Sequence, residues 1–114
     1  MSVTQHLSYD VLNSLQEIME DDFGFLIETF IQDSQDRLEK LHRLIGSDDF
    51  DSVRRAAHSF KGSCSNLGAL RLVSLCAVLE RKALVKDIAN LGIDLAEIEE
   101  EFLIVHQKML DFIA

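Results

Sequence analysis

The chain has 114 residues, 47% of them hydrophobic and none of them proline, which suits one helical domain, residues 1–114, with a single core. Its formal net charge of −9 argues against nucleic acid or an anionic membrane surface as a general partner. It has neither an apolar run near the ~18 residues of a membrane span nor a signal-peptide pattern, so we expect a cytoplasmic protein.

Apolar residues recur at three- and four-residue spacing in five segments, and this period predicts helices. The first predicted helix is short and the other four are longer. Their expected ranges are about 8–19, 22–45, 49–67, 69–86 and 94–112.

Glycines mark most of the predicted boundaries. Gly46 is expected to end the second helix, and Gly68 is a natural C-cap for the third. Gly92 is interpreted as a helix breaker between the fourth and fifth predicted helices. Asp94 and Glu97 after it resemble a capping pair that would begin the last helix.

Each of the four longer helices has one apolar face, and the connections between them are short. Sequential neighbours are therefore expected to be antiparallel. The sequence predicts an all-α fold, an antiparallel up-down four-helix bundle with the short N-terminal helix packed over one end. Four apolar faces can bury one another, so we expect a monomer.

The third predicted helix carries the most informative residues. His58 lies off its apolar stripe, on the exposed face, with Arg54, Lys61 and Gly62 three or four positions away and Ser65 one turn further. The stripe itself consists of Phe50, Val53, Ala57, Phe60, Cys64 and Leu67. Glycine inside a helix costs roughly 1 kcal/mol relative to alanine, and here it clears space beside a nucleophile.

The neighbouring cations suit an anion that approaches the ring. Residues 48–90 hold seven Lys and Arg against five Asp and Glu, whereas the rest of the chain holds four against fifteen. The region around His58 is therefore locally basic in an acidic protein.

The other histidines and the cysteines are given structural interpretations. His6, His42 and His106 are expected to be surface or capping residues. The spacing of Glu39 and His42 matches half of a di-metal bundle motif, but both should point outward and no second copy exists, so no metal site is expected.

The two cysteines are too few for a zinc or redox motif. Cys64 and Cys76 both fall on apolar stripes and are expected to be buried free thiols. Cys64 lies too far around its helix from His58 to form a nucleophile pair with it.

No Gly-rich phosphate loop is present in the sequence, so a phosphoryl group on His58 would have to come from another protein. The unprotonated nitrogen of an imidazole is a good phosphoryl acceptor near neutral pH. The bundle would need to supply only an accessible ring and compensating cations.

The run from Ala57 to Ser63 (AHSFKGS), followed by Asn66 to Ala69 (NLGA) and by Leu79-Glu80, resembles the signature of the histidine phosphotransfer (HPt) domain family of bacterial phosphorelays. The resemblance covers nearly the whole chain and implies a stand-alone HPt protein. It implies that His58 is the phosphoacceptor, through Nε2, and that the protein is a relay intermediate without an ATP site, not an enzyme.

The same resemblance implies supporting roles for four residues. Lys61 would balance the phosphoryl charge, Gly62 would keep the site open, and Ser63 occupies the family's small position. Glu80, on the following helix, would hold the other ring nitrogen and fix its tautomer. A solvated helix charge is the alternative interpretation of Glu80.

The implied partners are response-regulator receiver domains and hybrid sensor kinases. No cofactor is expected on this chain, and Mg²⁺ is expected on the receiver. Docking should involve Arg54, Arg55, Ser59 and Ser65, beside Lys61. Two alternatives stay open: an interaction bundle that binds receiver-type partners without phosphotransfer, and, less favoured, a phosphohistidine phosphatase.

Overall fold

The structure, a computed structural model, describes residues 3–114. In this part of the chain, apolar residues at helical spacing form five α-helices. A single 3-10 turn, Glu20–Asp22, joins the first two helices. The helices are α1 (Tyr9–Met19), α2 (Phe23–Gly46), α3 (Phe50–Asn66), α4 (Leu70–Leu84) and α5 (Leu91–Ile113). The predicted all-α bundle with a short first helix is confirmed.

The four long helices surround one core. α3 packs between α2 and α4, and α5 closes the ring by packing against α4 and α2. Each helix turns its predicted stripe inward, and Leu41, Phe60, Leu72 and Ile98 are completely buried. Burial of a side chain of this size contributes about 1.5–3 kcal/mol to folding.

Helix α1 covers the end of the bundle where the α3–α4 turn lies. Leu12 is completely buried, and the Ser8 backbone N–H donates to the Gly68 carbonyl at 2.8 Å. The ring of Tyr9 stacks on that of Phe112 from the end of α5, with centroids 6.0 Å apart. Helix α1 therefore fixes the turn between α3 and α4.

Gly68 ends α3 as predicted, and we expect its replacement to be costly. Its φ is +70°, and a Cβ at this position would lie 3.0 Å from the Val11 Cβ and 3.1 Å from the Ser8 Cβ. Gly68→Ala should therefore lower the free energy of unfolding by about 1–3 kcal/mol in a denaturant titration. Gly46→Ala is the control, because a Cβ there meets no atom within 4 Å. Equal stabilities for the two variants would contradict this account.

The predicted start of the last helix is wrong. α5 begins at Leu91, so Gly92 lies inside its first turn and Asp94 and Glu97 are not a capping pair. Burial of Leu91 anchors the helix start. Asp94 instead forms an ion pair with Lys82 of α4, at 3.0 Å.

Helix α4 ends two residues earlier than predicted, at Leu84. Lys86 adopts φ +58°, and the Asp87 backbone N–H donates to the Lys82 carbonyl at 2.9 Å. This is a C-terminal capping turn of the kind that usually contains glycine. Such a turn is not visible in the amino-acid sequence, because the residue in the left-handed conformation is lysine and not glycine.

Ser34 is a polar residue on the buried stripe of α2. It is completely buried, and its hydroxyl has no hydrogen-bond partner among the described residues. Ser34→Ala should raise the free energy of unfolding by about 1 kcal/mol, since a buried unpaired hydroxyl is removed and helix propensity improves. Ser14→Ala, at an exposed site in α1, controls for propensity alone. A larger gain in stability from Ser14→Ala than from Ser34→Ala would contradict the explanation by the buried hydroxyl.

The two cysteines are buried free thiols, as predicted. Contact with the Cys76 thiol and burial together raise the pKa of Cys64. A thiol held protonated in the core is a poor nucleophile, so these residues are core packing. Within residues 3–114 no helix combines the length and the apolar character needed to cross a membrane.

Candidate functional site

The exposed side of α3 presents His58 to solvent. Its neighbours Ala57 and Phe60 are completely buried, whereas 66% of the His58 side chain is accessible. The Asp49 carboxylate caps the start of the helix by accepting from the Ser52 backbone N–H at 3.2 Å. The ring therefore stands on a helix that is fixed both at its start and along its inner face.

Glu80 of α4 holds one nitrogen of that ring. Its Oε2 lies 2.8 Å from His58 Nδ1, and 19% of its side chain is exposed. The Lys61 ammonium, above all, holds the pKa of Glu80 below its usual range; burial acts in the opposite direction, and the His58 contact adds a smaller lowering effect. Because an ionised carboxylate can only accept, the proton of this hydrogen bond lies on Nδ1. In the neutral ring the lone pair is then on Nε2.

Lys61 shares the same carboxylate. Its Nζ lies 2.7 Å from Glu80 Oε1, opposite the oxygen that contacts His58. The sequence placed Lys61 beside the ring on the same helix face, and the structure adds that its ammonium is engaged by Glu80. The three side chains therefore form one charged cluster across α3 and α4.

Gly62 leaves open space one turn from the ring. The residue is exposed, and a Cβ built on it meets no atom within 4 Å. Nothing in the packing of the bundle therefore requires glycine at this position. Ser63, next in the chain, is half-buried beside the inner face of α3.

The residues expected to dock a partner flank the ring on α3. Arg54 and Arg55 both pair with Asp51, at 3.2 and 3.1 Å. Ser59 is exposed, and so is Ser65, which lies toward the end of the helix. The four side chains share the solvent-facing side of α3 with His58, but each arginine is partly neutralised.

One polar residue beside the site was missed by sequence reasoning. Arg37 of α2 donates from Nη1 to the Ser59 hydroxyl at 2.8 Å, and its Nε donates to Asp33 at 2.7 Å. The four-residue spacing of Asp33 and Arg37 was a visible signal for an ion pair. Its position next to Ser59 depends on how α2 and α3 pack.

His6 is half-buried and contacts a buried carboxylate that the sequence did not assign to it. Its Nδ1 lies 2.7 Å from Oε2 of Glu101, which is 3% exposed. Arg71 Nε also approaches Glu101, at 3.4 Å, and Arg71 donates to the Val3 carbonyl at 2.8 Å. This cluster ties the N-terminal segment to α4 and α5.

The other histidines have no comparable contacts. His42 is 74% exposed and lies 3.8 Å from Glu99, and the His106 ring packs on Phe102 with centroids 5.7 Å apart. Glu39 and His42 are both exposed on α2. Within residues 3–114 no three carboxylate, imidazole or thiol groups converge as metal ligands would.

Comparison with known proteins assigns the family. A family model described as the Hpt domain matches residues 26–109. The chain belongs to the HPt domain family. The role that follows is histidine phosphotransfer in a phosphorelay, and the resemblance seen in the sequence is confirmed.

Solved structures of HPt proteins share the fold. The chain is similar to histidine-containing phosphotransfer protein B (HptB) from Pseudomonas aeruginosa PAO1, with 38% identity, 96% of this chain and 95% of that chain covered, and a TM-score of 0.92. It also resembles the histidine-containing phosphotransfer protein ZmHP2 from maize, with 23% identity, coverages of 90% and 82%, and a TM-score of 0.79. At that identity the maize likeness supports the fold alone. A search of curated proteins gives no significant match.

Proposed function

We propose that His58 is the residue of this HPt domain that accepts the phosphoryl group, on Nε2, from the phospho-aspartate of one receiver domain and passes it to another. The observation that carries the proposal is the contact of His58 Nδ1 with Glu80 at 2.8 Å. This contact engages the Nδ1 nitrogen of the ring. Nε2 makes no hydrogen bond within the described part of the chain, and 66% of the side chain is exposed.

The phosphoryl transfer needs no reacting group of the bundle other than the imidazole ring of His58. The Nε2 lone pair attacks phosphorus, an N–P bond forms, and the P–O bond to the receiver's aspartate breaks. The aspartate leaves as a carboxylate. The ring then carries positive charge, which the Glu80 carboxylate stabilises through the Nδ1–H hydrogen bond. Transfer to a second receiver reverses these steps.

Three residues of α3 complete the proposed site. Lys61 stands one turn from the ring and supplies a cation that can turn from Glu80 to a phosphoryl oxygen. Gly62 has no side chain, which leaves room for the partner's acidic loop. The small side chain of Ser63 does not obstruct the adjoining surface. Arg54, Arg55, Ser59 and Ser65 would contact the docked receiver.

HPt domains in phosphorelays interact with receiver domains and kinases. For this chain we propose response-regulator receivers and a hybrid sensor kinase as partners, with Mg²⁺ bound on the receiver. We also propose that the protein acts in the cytoplasm as a monomer and as a relay intermediate instead of an enzyme with its own turnover. An obligate dimer in sedimentation at micromolar concentration would contradict the monomer.

Label transfer tests the proposal. Receiver domains from one genome are phosphorylated with labelled phosphate and mixed with the protein. At least one should pass label to it, and the bound label should be acid-labile and alkali-stable, as a phosphoramidate is. Binding of a receiver without label transfer would favour the alternative, an interaction bundle without phosphotransfer.

Loss of the Glu80 carboxylate should slow transfer without unfolding the bundle. A hydrogen bond to a charged group contributes about 1.5–3 kcal/mol, so Glu80→Ala should slow label acceptance by about tenfold or more. Glu80→Gln keeps an oxygen that can accept from Nδ1 and should be slowed less. Rapid-quench time courses measure both rates. Equal rates for the two variants and the unmodified protein would remove Glu80 from the site.

The pKa of Glu80 also sets the pH range over which this contact lasts. Its folded pKa is lowered, chiefly by Lys61, relative to the ordinary glutamate value of about 4.3. Its contribution to stability is therefore present above that ordinary value and disappears as the pH falls through the lowered folded pKa. Titration of Glu80 should consequently leave the transfer rate unchanged between about pH 5 and 8.

A further inference from the structure

A small basic groove lies between α2 and α3, beside the proposed phosphoacceptor. We define the α2–α3 groove by the residues that line it, Arg37, Lys40, Leu44, Ser52, Arg55, Ala56 and Ser59. Its volume is about 260 Å³, below the roughly 300–1,000 Å³ of ordinary small-molecule pockets. It suits a single protruding side chain better than a free ligand or a whole helix.

The charge of the groove is opposite to that of the molecule. Its lining side chains include three cations and no carboxylate, in a chain with a formal net charge of −9. Asp33 and Asp51 pair with Arg37 and Arg55 from outside the lining. Lys40 is exposed and forms no ion pair within residues 3–114.

Apolar atoms form part of the same lining. Leu44 and Ala56 are half-buried between the cationic side chains. A side chain with an apolar stem and an anionic end would match both features, because its methylenes could pack on these residues while its carboxylate contacts the cations.

The groove is continuous with the site through Ser59. That residue follows His58 in the chain, and its hydroxyl accepts from Arg37 Nη1 at 2.8 Å. On the opposite side of the ring, toward α4, the cation of Lys61 is already neutralised by Glu80 at 2.7 Å. Arg37 and Arg55 on the α2 side are likewise each paired with one aspartate, but Lys40 forms no ion pair within the described residues. Lys40 is therefore where a partner with acidic side chains gains electrostatic complementarity.

We infer that the α2–α3 groove receives an acidic side chain of the docked receiver domain, and that Arg37, Lys40 and Arg55 select receivers bearing it. This inference rests on the proposed function, because it takes the receiver as the partner. It assigns docking charge to α2, where the sequence had indicated arginines on α3 only.

Charge reversal in the groove tests the inference by binding alone. The probe is the set of receiver domains from one genome, loaded with Mg²⁺ and beryllofluoride as a stable phosphoryl mimic. Lys40→Glu and Arg55→Glu should each weaken binding of the tightest receiver about tenfold at low salt, and less at high salt. Titration calorimetry at two ionic strengths measures this.

Lys108→Glu is the matched control. It makes the same change in net charge on α5, which packs against α2 and α4, and should leave affinity unchanged. A Glu→Lys change on the receiver that restores binding to Lys40→Glu would identify the occupant of the groove. Equal affinities for Lys40→Glu and Lys108→Glu would overturn the inference.

The two proposals fail separately. If Lys40→Glu weakens binding but no receiver passes label to His58, the groove stands and the phosphotransfer assignment falls. If label passes while Lys40→Glu binds as well as Lys108→Glu, the assignment stands and the groove falls. If no receiver in the set binds, both are overturned.

Discussion

His58→Ala should abolish label acceptance from a phosphorylated receiver while leaving the bundle folded. The side chain is 66% exposed, and alanine has the highest helix propensity. Removal of the ring does not leave the Glu80 carboxylate unpaired, because Lys61 Nζ still lies 2.7 Å from it. Thermal melts and circular dichroism should therefore match the unmodified protein.

The control for this variant is His42→Ala. His42 is also highly exposed, at 74%, but it lies on α2 without a short hydrogen bond to a carboxylate. The His42→Ala variant should accept label at the rate of the unmodified protein. Acid-labile label on His58→Ala at the unmodified rate would overturn the assignment, and loss of label in His42→Ala would move the site there.

The apolar periodicity was sufficient to predict the bundle. Each of the four long helices buries the stripe that the three- and four-residue spacing marks, from Phe23 to Leu41 in α2 and from Leu95 to Met109 in α5. In the short α1 only Leu12 is buried, and Ile18, which has the same spacing, is 76% exposed. Helix ends were predicted less well. Buried Leu91, not a polar cap, begins α5, and α4 ends on a lysine in a left-handed conformation, at Lys86.

The site could be predicted in part. The residues that share a helix face with His58 all lie on α3. The helical period alone therefore predicted that they are neighbours. The link to α4 was implied only through family resemblance, since 22 residues separate His58 from Glu80. Lys61 could not be assigned to Glu80, because that contact depends on how the two helices pack.

Long-range polar contacts were the least visible. Arg37 meets Ser59 only because α2 packs on α3, and His6 meets Glu101 across 95 positions of the chain. Glu101 itself had a signal, since it lies three residues after Ile98 and four before Val105 on the inner stripe of α5. A carboxylate on a buried stripe requires a partner, and the sequence does not identify which residue supplies it.

Gly62→Gln should slow phosphotransfer by about a hundredfold in a bundle that is at least as stable as the original. The gain in stability has a local cause, since glycine inside a helix costs about 1 kcal/mol relative to residues with good propensity. No neighbour opposes the change, because a Cβ at Gly62 meets no atom within 4 Å. Packing thus gives no reason for glycine here, which leaves access to the ring as the explanation.

The loss of rate follows from where the new side chain would extend. Gly62 lies four residues after His58, so a glutamine there can cover the ring from the adjoining turn. Displacing the phosphoryl donor by about 1 Å is enough to cost about a hundredfold. Gly62→Ala, with one carbon, separates the two effects: it should be stabilised like the glutamine variant but transfer nearly normally. Thermal melts paired with label-transfer time courses measure both, and a glutamine variant that is more stable and transfers at the original rate would show that the glycine is not needed for access.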